Sequence, residues 1–105
     1  MTDLSGTPQE LLDLRGSIDN IDAAMISLLA ERFKCTRRVG QIKAERNMPK
    51  ADLAREAAQF ARIHQLAQQA GLDPEFAEKF LKFVIAEVIR HHQAARESGE
   101  QDTRI

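Results

Sequence analysis

The sequence predicts an all-α fold: three helices per chain, the first very long, paired as an intertwined homodimeric helical bundle. Three observations carry this expectation. Apolar residues recur at alternating steps of three and four from Leu11 through Leu14, Ile18, Ile21, Met25 and Leu28, and the register continues through Cys35, Val39 and Ile42. That is a heptad seam, the mark of a long helix with one face against a partner. Two further segments carry helix start and stop signals, and no segment shows the period-two alternation of a strand.

The first helix is expected over about 8–46, with Thr7 as N-cap and Pro8 at the first helical position. Gly16 and Gly40 weaken it by roughly 1 kcal/mol each relative to Ala without ending it. Asn47-Met48-Pro49-Lys50-Ala51 reads as a turn, with Pro49 blocking continuation. Asp52 caps a second helix over about 52–70 that stops at Gly71. Asp73 and Pro74 open a third over about 73–96, with Phe76, Phe80, Leu81, Val84, Ile85, Val88 and Ile89 expected inward and a frayed tail at 97–105. The whole chain, 1–105, reads as a single helical domain.

The length of the first helix bears on assembly. About 39 residues at roughly 1.5 Å each make a rod of about 60 Å, whereas a compact monomer of this size has a radius of gyration of about 13 Å. Two shorter helices cannot cover such a seam. A two-fold pairing with a second copy is the expected solution, and a monomer with a broken first helix is the alternative.

Composition narrows the function classes. The 105 residues carry a net charge of −1, so no global field favours nucleic acid or a membrane surface. A single cysteine forbids an intramolecular disulfide and fits a reduced, cytoplasmic setting. Met1–Gln9 has no signal-peptide pattern, and no apolar run reaches membrane length. Cys35 reads as a small core residue of the seam. The serines and threonines show no triad logic. Adjacent His91 and His92 diverge by about 100° on a helix, with no third ligand at helical spacing. No metal and no cofactor are expected.

Arg32 occupies a seam position where a leucine is expected. A guanidinium there is costly to desolvate without an anionic partner, and no acid shares the seam. It is therefore read as facing a ligand. Lys43 follows about three turns later, about 16 Å along the same face, and Arg15 lies about 25 Å in the other direction. In an antiparallel pair, Arg15 of one chain falls near Arg32 and Lys43 of the other, giving two equivalent shared sites. Asp52, Arg55 and Glu56 at the start of the second helix form a second polar wall, or else a plain N-cap with a solvated ion pair. His92 shares the apolar face of Ile85, Val88 and Ile89, as a half-buried histidine or as part of the site. Several cations and one or two acids, with no nucleophile, suit a small polyanion held by bidentate guanidinium contacts. Catalysis then rests on conformational restriction and on stabilising charge that develops in the transition state. A unimolecular rearrangement of a dicarboxylate is the natural case.

Leu14-Arg15, Ile18, Ile21-Asp22, Leu28-Leu29-Ala30-Glu31-Arg32, Val39-Gly40, Ile42-Lys43 and Asp52-Leu53-Ala54-Arg55-Glu56 together resemble the all-α class of chorismate mutases. The resemblance runs from about Leu14 to Glu56 and resumes through Leu72-Asp73 and the third helix. It implies an isomerase of the shikimate pathway that converts chorismate to prephenate by a [3,3]-sigmatropic Claisen rearrangement. Arg15 of the second chain and Arg32 would grip the carboxylates, and Lys43 would hydrogen-bond the ether oxygen. Glu56 would take the ring hydroxyl with Asp52 nearby, and Arg55 would support both. Val39, Ile85 and Ile89 would wall the substrate.

Two positions depart from the family pattern. A Ser and a Gln usually stand where this chain has Val88 and His92. Loss of the Ser removes a carboxylate contact. His92 replaces a second donor to the ether oxygen, and an imidazole with the ordinary pKa of about 6.5 loses donor capacity as pH rises. An isochorismate-pyruvate lyase on the same fold is the close rival. A non-catalytic helical module that binds a partner helix or an acidic metabolite, and a ligand-free coiled-coil scaffold, are the readings from other classes. The chain reads as a monofunctional module, with the fate of prephenate, in aromatic amino acid biosynthesis or a secondary metabolite, left open.

Overall fold

Helix α1 spans Gln9–Glu45, α2 Leu53–Ala70 and α3 Pro74–Ser98 in the computed structural model, which describes residues 6–98. No strand occurs among the described residues, so the three-helix, all-α expectation holds. Residues 97 and 98 continue α3, and the rest of the expected frayed tail lies outside the described residues. The chain divides into two compact units that meet in sequence between Cys35 and Thr36.

The first unit is the N-terminal part of α1. The carbonyl of Pro8 accepts from the N–H groups of Leu11 and Leu12 at 3.1 and 3.2 Å, so the ladder begins one residue later than the Thr7–Pro8 scheme predicts. Gln9 Nε2 donates to Asp13 Oδ1 at 2.8 Å in the first turns. The seam stands open: Leu14, Ile18, Ile21, Met25 and Leu28 are each more than half exposed, with Leu28 at 69%. Cys35, expected in the core, is exposed too, because this unit has no second element to lay against it.

The second unit holds the end of α1, α2 and α3. Helix α1 stops at Asn47, the only described non-glycine residue with positive φ, at 54°. Met48 N–H donates to the Lys43 carbonyl at 2.8 Å and Asn47 N–H to the Ala44 carbonyl at 3.4 Å. This is a Schellman closure, and asparagine is the side-chain-bearing residue that tolerates the left-handed region best. Pro49, which the sequence points to as the terminator, lies beyond a helix already closed.

The Asp52 side chain accepts from Arg55 N–H at 3.0 Å and so caps α2. Gly71, at φ 75° and ψ 23°, ends α2 with Leu72 N–H donating to the Ala67 carbonyl at 2.8 Å. Two residues later Asp73 Oδ1 accepts from Glu75 N–H at 3.0 Å, starting α3 at Pro74. The tight turn folds α3 back on α2 as a helical hairpin.

The hairpin core is narrow. Among the described residues, Ala67 of α2 and Ala77, Leu81 and Val84 of α3 are the buried apolar ones. Ile85 and Val88 are half-buried, but Phe76, Phe80 and Ile89, expected inward, are about half exposed. A single neighbouring helix covers only one stripe of α3, at steps of three and four from Ala77, and leaves the flanking rows open. Phe76 and Phe80 stack on each other on that open side with centroids 6.5 Å apart. His64 Nδ1 and Glu78 Oε2 link α2 to α3 at 2.9 Å.

Candidate active site

Arg15 and Arg32 belong to the first unit and project from α1, Arg15 exposed and Arg32 half-buried. Among the described residues neither has an acid within ion-pair distance, and Arg55 in the second unit has none either. In the first unit Lys34 pairs with Glu31 at 3.0 Å, and in the second Arg38 pairs with Glu45 at 3.5 Å. Arg37, Arg46 and Arg62 likewise have no acid within ion-pair distance among the described residues, so the absence of a partner is shared with arginines outside the expected site.

The remaining candidates lie in the second unit. Lys43 sits in the last turn of α1, and its backbone and side chain both engage the following turn. Its carbonyl accepts from Met48 N–H, and its Nζ donates to the Lys50 carbonyl at 3.2 Å. An ammonium has three donors, so this bond fixes its position while leaving two hydrogens to offer. The same turn delivers Asp52, whose side chain is engaged as a cap, and places Glu56 one turn into α2, where it is half-buried. Arg55 is exposed beside it. Lys43 is thus tied to the segment that leads into α2.

Helix α3 presents Ile85, Val88 and His92 as a half-buried row, with Ile89 exposed at its edge and Val39 of α1 also about half exposed. The two adjacent histidines have different surroundings. His91 is exposed and joins a solvent-facing cluster, with Arg90 Nη2 donating to its Nε2 at 3.3 Å. In that cluster Arg90 also donates to Glu87 Oε2 at 2.7 Å, and this hydrogen bond holds the Glu87 carboxyl below its usual range. His92 turns instead toward α1. A Cβ placed on Gly40 would lie 3.0 Å from its Cε1, 3.5 Å from Nδ1 and 3.6 Å from Nε2.

Three residues that hold this arrangement escape a reading of the sequence. Asn47 sets the turn, Lys50 supplies the carbonyl that anchors Lys43, and Gly40 makes room for His92. Asparagine at a helix end and glycine inside a helix were the available signals. Among the described residues no group of three or more His, Cys, Asp or Glu could hold a metal, and no helix is long and apolar enough to cross a membrane.

Comparison with known proteins gives a consistent picture. The family model described as chorismate mutase type II matches residues 14–93. The chain is 35% identical over 78 residues to a T-protein of Enterobacter agglomerans, covering 74% of this chain and 21% of that protein. It is 38% identical over 71 residues to a bifunctional chorismate mutase/prephenate dehydratase of Aquifex aeolicus, covering 66% of this chain and 20% of that one. A chorismate mutase of Methanocaldococcus jannaschii is 27% identical over 95 residues, covering 90% and 92% of the two chains. The chain thus spans about a fifth of the length of the first two relatives and nearly all of the third.

Proposed function

The chain belongs to the chorismate mutase type II family, and from that premise we propose that it converts chorismate to prephenate. The reaction breaks the ether C–O bond and forms a C–C bond within one molecule, so it needs neither nucleophile nor redox partner. What the protein must supply is a compact substrate conformation and a counter-charge where the ether oxygen becomes negative.

The observation that carries the proposal is the family match across 14–93, a span that contains every residue assigned below. In this reading Arg15 and Arg32 bind the two carboxylates, and the seam position of Arg32 in a row of apolar residues supports its role. Lys43 donates to the ether oxygen, a role its tether to Lys50 supports by limiting the motion of the ammonium. Glu56 accepts the ring hydroxyl, with Asp52 and Arg55 alongside. Val39, Ile85, Val88 and Ile89 wall the substrate, and His92 gives a second hydrogen bond to the ether oxygen. These roles rest on the motifs of this sequence that resemble the family, from Leu14-Arg15 to Asp52-Leu53-Ala54-Arg55-Glu56 and along α3.

The same reading includes a homodimer in which Arg15 comes from the second chain. Its support is the seam of the first unit, where a row of large apolar residues from Leu14 to Leu28 faces solvent. Sedimentation of the purified protein should give twice the chain mass, and a monomer at micromolar concentration would contradict it.

Val88 and His92, in place of the family's usual Ser and Gln, favour keeping a second reaction in view, the elimination of pyruvate from isochorismate. Incubation with each substrate separates the two. Prephenate from chorismate supports the mutase; salicylate and pyruvate from isochorismate support the lyase. Tight binding of a bicyclic dicarboxylate transition-state analogue without turnover of either substrate would support a binding module.

A further inference from the structure

Gly40 is an expensive choice for the interior of a long helix, since glycine there is less favourable than alanine. The compensation visible in the structure is on α3. The outer edge of the His92 imidazole abuts Gly40, close enough that a methyl group there would lie 3.0 Å from Cε1. That approach is tighter than ordinary van der Waals contact, so the ring would have to give way. Cε1 and the two nitrogens that flank it face the same point at 3.0 to 3.6 Å, so the imidazole directs its outer edge at the glycine. Lys43 follows Gly40 by three residues and so lies on a neighbouring part of the same helix surface.

We propose that Gly40 is a positioning residue: by lacking a side chain it seats the His92 ring against α1, at the distance from Lys43 that the reaction requires. The catalytic part of this inference rests on the mutase reading and on His92 as a donor in it; the seating itself does not. A shift of the ring by several tenths of an ångström misaligns a hydrogen bond that must form as the ether bond breaks, and misplacements of about 1 Å can cost on the order of 100-fold in rate.

The test is a double-mutant cycle on the full-length protein with Gly40→Ala and His92→Gln, read by kcat, KM, thermal unfolding and the His92 ring resonances in NMR. Gly40→Ala alone should move the His92 resonances and lower kcat about tenfold with KM within about twofold. In the His92→Gln background, where a flexible side chain can rotate clear, the same change should cost less than about twofold in kcat. It should there raise the melting temperature, because the helix gains an alanine at a position with room. Equal losses in both backgrounds would overturn the proposal, since Gly40 would then act through something other than His92. Unmoved His92 resonances in Gly40→Ala would overturn the seating directly. If the unsubstituted protein turns over no chorismate, the mutase reading fails and takes the catalytic part with it. The resonances and the melting-temperature cycle then still decide the seating.

Discussion

Lys43 Nζ donates to the carbonyl oxygen of Lys50 at 3.2 Å, tying the last turn of α1 to the segment that leads into α2. The ammonium assigned to the ether oxygen is therefore held by a backbone atom rather than by a carboxylate that would neutralise it. A carbonyl partner orients the charge without cancelling it, as electrostatic stabilisation of a transition state requires.

Removing that charge should be costly for rate and cheap for stability. Lys43→Ala is expected to lower kcat by about 10²–10³-fold, the usual loss when one donor to a developing oxyanion is removed. Its bond to Lys50 is exposed, so unfolding free energy should change by less than about 1 kcal/mol. Steady-state kinetics beside a denaturant melt would check both, and a rate within about threefold of the parent would remove Lys43 from the mechanism.

Asn47 should matter more than its loop position implies. At φ 54° it occupies a conformation that costs a β-branched residue about 1–2 kcal/mol, whereas glycine adopts it freely. Asn47→Val should destabilise by about that amount and loosen the Lys43–Lys50 tether, lowering kcat as well, while Asn47→Gly should preserve both. Equal stability of the two variants would show that the Schellman closure does not control this turn.

With His92 as the proposed second donor to the ether oxygen, the reaction should be sensitive to pH. Its imidazole donates as the cation, and in the neutral form only through one of two nitrogens, so donor capacity falls as pH rises. Activity should decline from about pH 5 to about pH 8, and His92→Gln should flatten the profile. A profile of the same shape in that variant would exclude His92 as the titrating donor.

Glu87 offers an independent pH test, on stability alone. The hydrogen bond from Arg90 holds its carboxyl below the ordinary value in the folded chain. A depressed folded value contributes stability that is present above the unfolded pKa and lost as pH falls through the folded one. The melting temperature should therefore drop on acidification below about pH 4.5, and Arg90→Ala should reduce that drop. Arg90 is exposed and Glu87 only half-buried, so the effect should be small and weaker still in high salt. Parallel acid limbs for the two proteins would rule out this pair as a contributor.

Much of this architecture was legible in the residues. Asp52, Gly71, Asp73 and Pro74 are local signals whose physics lies within a turn or two, and the helix ends they specify occur where expected. The α1 seam was legible for the same reason, since period alone defines it. What was not legible depends on contacts between distant residues. Phe76 and Phe80 have the periodicity of a core face, but which stripe of α3 is covered depends on where α2 crosses it. Gly40 looked like a weak point in a helix until His92, far along the chain, was seen against it. Pro49 was the obvious terminator of α1, yet Asn47 closes the helix first through a backbone conformation that leaves only a faint trace in composition.

The measurement that tests the central claim most directly is NMR of chorismate incubated with the purified protein, with isochorismate in a parallel sample. Chorismate signals should give way to those of prephenate, at a rate that Lys43→Ala lowers about 10²–10³-fold. Stable chorismate, with salicylate and pyruvate appearing from isochorismate, would contradict it.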